Sequence, residues 1–171
     1  MDTIQVALTR QRCALGDAYA EKHRTTPPKA AVLSCEGMCL RGEIARRAAT
    51  QLAHELAPDK TVRVCHGGLL EVDGGMRGLV AHADQVLMLD GCGLACGTRL
   101  LNGAMPDVQP TVIFTDQLID FDRALFGVDE LPDSDITRHA RTVARTVLVT
   151  ALGHAPNGTS PTAAGCASQP R

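Results

Sequence analysis

Four short apolar runs punctuate the chain: AAVLSC (Ala30 to Cys35), TVRVC (Thr61 to Cys65), QVLMLD (Gln85 to Asp90) and TVIFTD (Thr111 to Asp116). Val, Ile and Leu crowd them, as in strands buried on both faces of a sheet. Helical patterns fill the intervals. Gly42 to Ala57 carries Ile44, Ala48, Leu52 and Leu56 at steps of four, flanked by Ala45, Ala49 and Ala53. That is an amphipathic helix with an Ala-rich face able to lie close on a sheet. Pro58 and Asp59 end it. HGGLLEVDGGMRG (His66 to Gly78) is Gly-rich and reads as loop with room for one helical turn, and a short helix is expected around Arg77 to Ala83. Cys92 to Gly103 has helical spacing through Leu94, Ala95, Thr98 and Leu101, with Gly103 as C-cap. A long helix capped by Asp133 or Ser134 carries Ile136, Ala140, Val143, Ala144, Val147, Leu148 and Ala151 on one side, and Gly153 stops it. Strands alternating with helices pair in parallel through right-handed crossovers. The expected class is α/β: a small, open, mostly parallel, Rossmann-like sheet of about four to five strands flanked by helices.

A chain of 171 residues suits one hydrophobic core. Residues 1–29 read as an N-terminal helical extension, with a helix from Arg12 to His23 carrying Leu15, Ala18 and Tyr19 and broken by HRTTPPK. Residues 30–154 form the α/β domain. Residues 155–171, rich in Pro, Gly, Ser and Thr, are expected to be a disordered tail. The net charge of -2 leaves no basic footprint, and with no Trp and one Tyr the chain lacks stacking platforms for bases. Neither nucleic acid nor a membrane is expected as partner, and nothing names a protein partner. No apolar run approaches the roughly 18 residues of a membrane span. MDTIQVALTRQRC does not read as a signal peptide. The expected compartment is the cytoplasm, where thiols stay reduced.

The chemistry lies in the cysteines. Seven is an odd number, which fits metal ligation or thiol chemistry better than a disulfide framework. AAVLS ends at Cys35, TVRV ends at Cys65, and QVLMLD is followed by Gly91 and Cys92. Parallel strands share one carboxyl edge, where open α/β sheets bind ligands. Cys35, Cys65 and Cys92 are therefore expected to converge. Cys39 and Cys96 each follow a partner by four residues, and positions i and i+4 of a helix share a face about 6 Å apart. Cys92 is expected at a helix N-terminus, which favours a thiolate. Gly37 and Gly91, with Gly93 and Gly97, let backbone amides approach a bound group and donate to ligating sulfurs. Any single cysteine reads equally well as a small buried hydrophobe. Asp90 either steers a bound species or caps a helix, the cap being the commoner use of an Asp there. His66 is a ligand, a proton carrier or a plain loop residue. Asp116 ends the fourth strand at the same edge. Cys13 and Cys166 lie outside these segments. No GxGxxG, Walker or GxSxG motif is present.

The triplet Asp90-Gly91-Cys92, with Cys96, the segment Cys35-Glu36-Gly37, the pair Gly42-Glu43 and the isolated Cys65-His66-Gly67, resembles the DGC-domain family of proposed zinc-binding proteins. The resemblance covers Ala31 to Asp116. It implies four cysteine chelators at Cys35, Cys65, Cys92 and Cys96, with Cys39 as a fifth ligand, a spare thiol or a stand-in. It imports a metal, not a reaction. Four thiolates suit tetrahedral zinc or an iron–sulfur cluster. The expected function is cysteine-ligated metal binding, zinc first, in the service of metal handling. The alternatives are an iron–sulfur enzyme or redox protein doing sulfur chemistry at the same cysteines, and metal-free dithiol chemistry through Cys92 and Cys96. Whether the chain catalyses anything is left open by its sequence.

Overall fold

The computed structural model describes residues 6–153. Four strands form one sheet: β1 (Ala30–Ser34), β2 (Thr61–Arg63), β3 (Val86–Asp90) and β4 (Thr111–Phe114), in the order β2-β1-β3-β4. Every neighbouring pair is parallel. The fold is an open α/β sheet, parallel throughout. Five α-helices accompany it: α1 (Ala14–His23), α2 (Leu40–Gln51), α3 (Gly75–Ala81), α4 (Cys96–Ala104) and α5 (Asp133–Leu152).

The crossovers run in opposite directions, β1 to β2 one way and β3 to β4 the other. Right-handed connections then require helices on opposite faces. The packing follows that rule. On one face Val32, Leu87 and Leu89 meet Ile44, Ala45, Ala48 and Ala49 of α2 and Ile136, Ala140, Val143, Ala144 and Val147 of α5. On the other, Leu33, Val64 and Met88 pack with Leu79 and Val80 of α3 and Leu101 of α4. The central strands β1 and β3 are fully enclosed. Full burial of each Leu or Val stabilises the fold by about 1.5–3 kcal/mol.

Several boundaries differ from expectation for identifiable reasons. α2 starts at Leu40 rather than Gly42, because the Leu40 N–H finds the Phe126 carbonyl at 2.7 Å. Its regular part ends at Gln51, and Leu52–Leu56 continue as one π-helical turn closed by Ala57 N–H on the Leu52 carbonyl at 2.9 Å. The His66 loop holds the one helical turn allowed for it, a 3-10 turn over His66–Leu70. β4 is an edge strand with Thr111 and Val112 exposed, so the expectation of burial on both faces fails there. α1 is not a loose appendage: Ala20 is buried in the second core and α1 packs on α3. The tail 155–171, expected to be disordered, lies outside the described residues, as does Cys166.

Candidate functional site

The strand order reverses between β1 and β3. The chain leaves β1 to build β2 on one side and returns to place β3 on the other. A crevice opens at such a point beyond the carboxyl ends, because the following loops diverge. Here those loops carry Cys35 to Cys39 after β1 and Gly91 to Ala95 after β3.

The two loops are nested backbone on backbone. A Cβ on Gly91 would lie 2.7 Å from the Arg41 carbonyl carbon and 2.8 Å from Gly42 N. One on Gly42 would lie 2.5 Å from the Gly37 carbonyl oxygen. Only glycine allows these approaches, which explains the glycines of the triplet and of the Gly42-Glu43 pair in steric terms.

Asp90 is fully buried at the end of β3. Its carboxylate accepts from Gly97 N–H at 2.8 Å, Thr98 N–H at 3.1 Å and the Thr98 hydroxyl at 2.6 Å. It therefore caps α4 from the preceding strand, the helix-capping role raised for it above. The helix begins at Cys96, not Cys92. The span between holds a turn, Ala95 N–H on the Cys92 carbonyl at 3.0 Å, and Ala95 itself is left-handed at φ 52°. This corrects the expectation that Cys92 stands at a helix N-terminus with Cys96 one turn along. Glycines at 91 and 93 disfavour helix, and Asp90 supplies the cap that starts it four residues later. Cys96 occupies the first turn instead and is exposed, while Cys92 is half-buried in the loop.

Cys35 is the buried thiol of the set. Burial pushes its pKa up, the nearby backbone amides of Gly37 and Gly91 pull it back, and the charges of Asp90 and Cys96 push it up again. Gly37 and Gly91 thus belong to the site through their amides, one from each loop. Cys96 lies close enough to Cys35 to act on its ionisation. Cys39, half-buried, directs its sulfur to 3.8 Å from where a Gly37 Cβ would be, opposite Cys35 at 3.3 Å.

Cys65, exposed, follows the end of β2. It opens on a cleft of about 550 Å³ whose walls include Tyr19, Glu36, Arg63, Val64, His66 and Met76. His66 reaches toward α4, its Cε1 atom 3.3 Å from the Cβ position of Gly97. Its Nε2 is buried without a hydrogen-bond partner. Burial lowers its pKa, Glu36 and Asp90 oppose that, and Arg63 reinforces it. At the far side of the crevice Asp116 receives Arg123 at 3.0 Å through Oδ2, while Oδ1 is buried and unpartnered. Arg63 and Ser34 join the site without having been singled out in the sequence, together with Glu36, which stood there only within the Cys35-Glu36-Gly37 segment. The available signal was an arginine inside an otherwise apolar strand, two residues before a cysteine.

The carboxyl edge therefore gathers Cys35, Cys39, Cys65 and Cys92 on its loops and Cys96 at the start of α4, with Cys39 and Cys96 each near Cys35. Among the described residues, no three His, Cys, Asp or Glu side chains stand grouped as ligands of one ion.

A DGC domain matches residues 31–147. The chain belongs to the DGC-domain family. The match runs past Asp116, where the motifs stop, through the loop after β4 and most of α5. The DGC unit thus takes in the helix that closes the α2 face of the sheet, not only the cysteine loops. Curated proteins and solved structures gave no match. For this DGC domain the donor chemistry suits a soft divalent ion, with thiols and an imidazole carried on three strand ends and Nε2 of His66 left without a partner. Their arrangement is open rather than a closed tetrahedron.

Proposed function

We propose that this DGC domain binds a metal ion, zinc first, through cysteine thiolates at the β1/β3 crevice, and that it serves metal handling in a reducing compartment such as the cytoplasm. Cys35, Cys65, Cys92 and Cys96 are the ligands the family pattern implies, and Cys39 stands close enough to Cys35 to replace it or to join. The observation that carries the reading is the environment of Cys35. Its sulfur lies where the β1 and β3 loops meet, and the backbone amides of Gly37 and Gly91 oppose the rise in pKa that burial imposes on it. Amides near a sulfur favour the thiolate that a metal ligand must become, against the burial that favours the neutral thiol. The separate placement of the other thiols means that closure of the site accompanies binding. Zinc, when bound, supplies a Lewis acid or a transferable cargo. The chain's own part is to hold Cys35 in place, to exclude water around it and to offer Cys96 and Cys92 from the opposite loop.

Metal content per chain in protein purified without oxygen tests this. One zinc per chain, lost in Cys35→Ser and Cys96→Ser, is the expected result. Stoichiometric iron with broad absorption near about 400 nm would instead establish the iron–sulfur reading of the same cysteines. Metal-free protein whose Cys92 and Cys96 cycle with a dithiol reductant would establish the redox reading.

A further inference from the structure

The ladder between β1 and β2 has its last paired residues at Val32 and Arg63, followed by one bond from Val64 N–H to the Val32 carbonyl at 2.9 Å. Cys35 and Cys65 both lie beyond it, on different loops. The side chain of Arg63, 15% exposed, spans the gap. One guanidinium nitrogen donates to the Val32 carbonyl at 3.2 Å and the Val64 carbonyl at 2.7 Å. The other donates to the Ser34 hydroxyl at 2.6 Å and to the Glu36 carboxylate. Ser34 and Glu36 flank Cys35 on either side, and Val64 precedes Cys65.

The geometry points to Arg63 as a positioning residue: its planar fork fixes the Cys35 loop against the Cys65 loop and so sets whether Cys65 shares an ion with the thiols of the β1/β3 crevice. This rests on the metal reading above. The guanidinium suits the task because its donors diverge at fixed angles in one plane, so four acceptors on two segments are held at set separations. An ammonium is a point charge on a flexible stem and cannot reproduce that fork. Burying the cation is tolerated because a carboxylate and three further acceptors surround it. An arginine that merely stabilised an edge strand would need only the ion pair. Here three of the four bonds go to the atoms that lead into, or out of, the two cysteine loops.

The test is site-resolved alkylation of zinc-loaded protein followed by mass spectrometry, in the wild-type chain and in Arg63→Met, Arg63→Lys and Glu36→Gln. In the wild type Cys35, Cys65, Cys92 and Cys96 are expected to be protected together. In Arg63→Met, Cys65 is expected to become alkylated at least about tenfold faster while the other three stay protected, and zinc affinity falls about 10- to 100-fold, the usual effect of losing a residue that orients a ligand. Arg63→Lys is expected to behave as Arg63→Met, and Glu36→Gln, which keeps an acceptor oxygen but loses the charge, to shift Cys65 in the same direction by less. Equal protection of Cys65 in all four proteins overturns the inference and leaves the metal reading standing. So does full rescue by Lys, or a loss of protection at all four thiols that tracks thermal stability. A wild-type chain in which zinc protects no thiol overturns the metal reading and this inference with it.

Discussion

Asp90 shows how one side chain can serve the fold and the site at once. Both of its oxygens are engaged by the first turn of α4. Replacing it with Ala orphans two amides and a hydroxyl in a buried setting. Asp90→Ala is expected to lower unfolding free energy by about 2–3 kcal/mol, read from the denaturant midpoint. The neighbouring glycines separate steric need from loop composition. Gly91→Ala forces a methyl against the Arg41 backbone, which cannot yield as a side-chain tip can. A loss of about 1–3 kcal/mol is expected. Gly93→Ala meets nothing within 4 Å and is expected to stay within about 0.5 kcal/mol of the parent. Equal effects of the two alanines in chemical denaturation would refute the nesting of the loops.

At the scale of elements, the α2–α5 contact is built from alanines. Ala45, Ala48 and Ala49 face Ala140 and Ala144 across a buried seam. Small side chains let the helices lie close, and a larger one must push them apart. Ala144→Leu is expected to cost about 1–3 kcal/mol in equilibrium unfolding, despite added apolar area. The elements themselves were legible in the sequence because the apolar runs and the four-residue stripes of α2 and α5 are strong periodic signals. So was the edge that carries the thiols, since parallel pairing fixes which strand ends come together. The start of α4 was not legible. The spacing of Leu94, Ala95 and Thr98 fits a helix as well as it fits a turn plus a helix, and the choice was made by a tertiary bond from Asp90. The Arg63 network was hidden for a related reason. Its acceptors lie on another strand, and no local pattern announces them. The exposure of Thr111 and Val112 depended on strand order, which periodicity does not encode.

For the molecule as a whole, acid is expected to act in two stages. Burial and the neighbouring Arg138 lower the pKa of His139, and burial with Lys29, Lys22 and His54 lowers that of His23. A depressed histidine favours the neutral folded state. Its contribution is complete above the unfolded value near 6.5 and is lost as pH falls below that toward the folded value. Glu43, held by Arg46 and Arg47, and Asp133, held by Arg47, have lowered pKa values. Their contribution is present above the ordinary carboxylate range and disappears as pH drops through it. Melting temperature is expected to decline from pH 7.5 to 5.5, to fall again below about pH 4, and to lose part of its first slope in His139→Gln. A flat profile between pH 7.5 and 5.5 would count against the histidine assignment. The capping of α4 by the last residue of β3 has a mechanical corollary. Strand and helix are riveted at both ends of the short bridge from Gly91 to Ala95, so Cys96 rides with the rigid scaffold while Cys92 sits mid-span. On the proposed metal reading, the adjustment that seats an ion comes from that bridge bowing, with Cys35 and Cys96 acting as the stationary jaw.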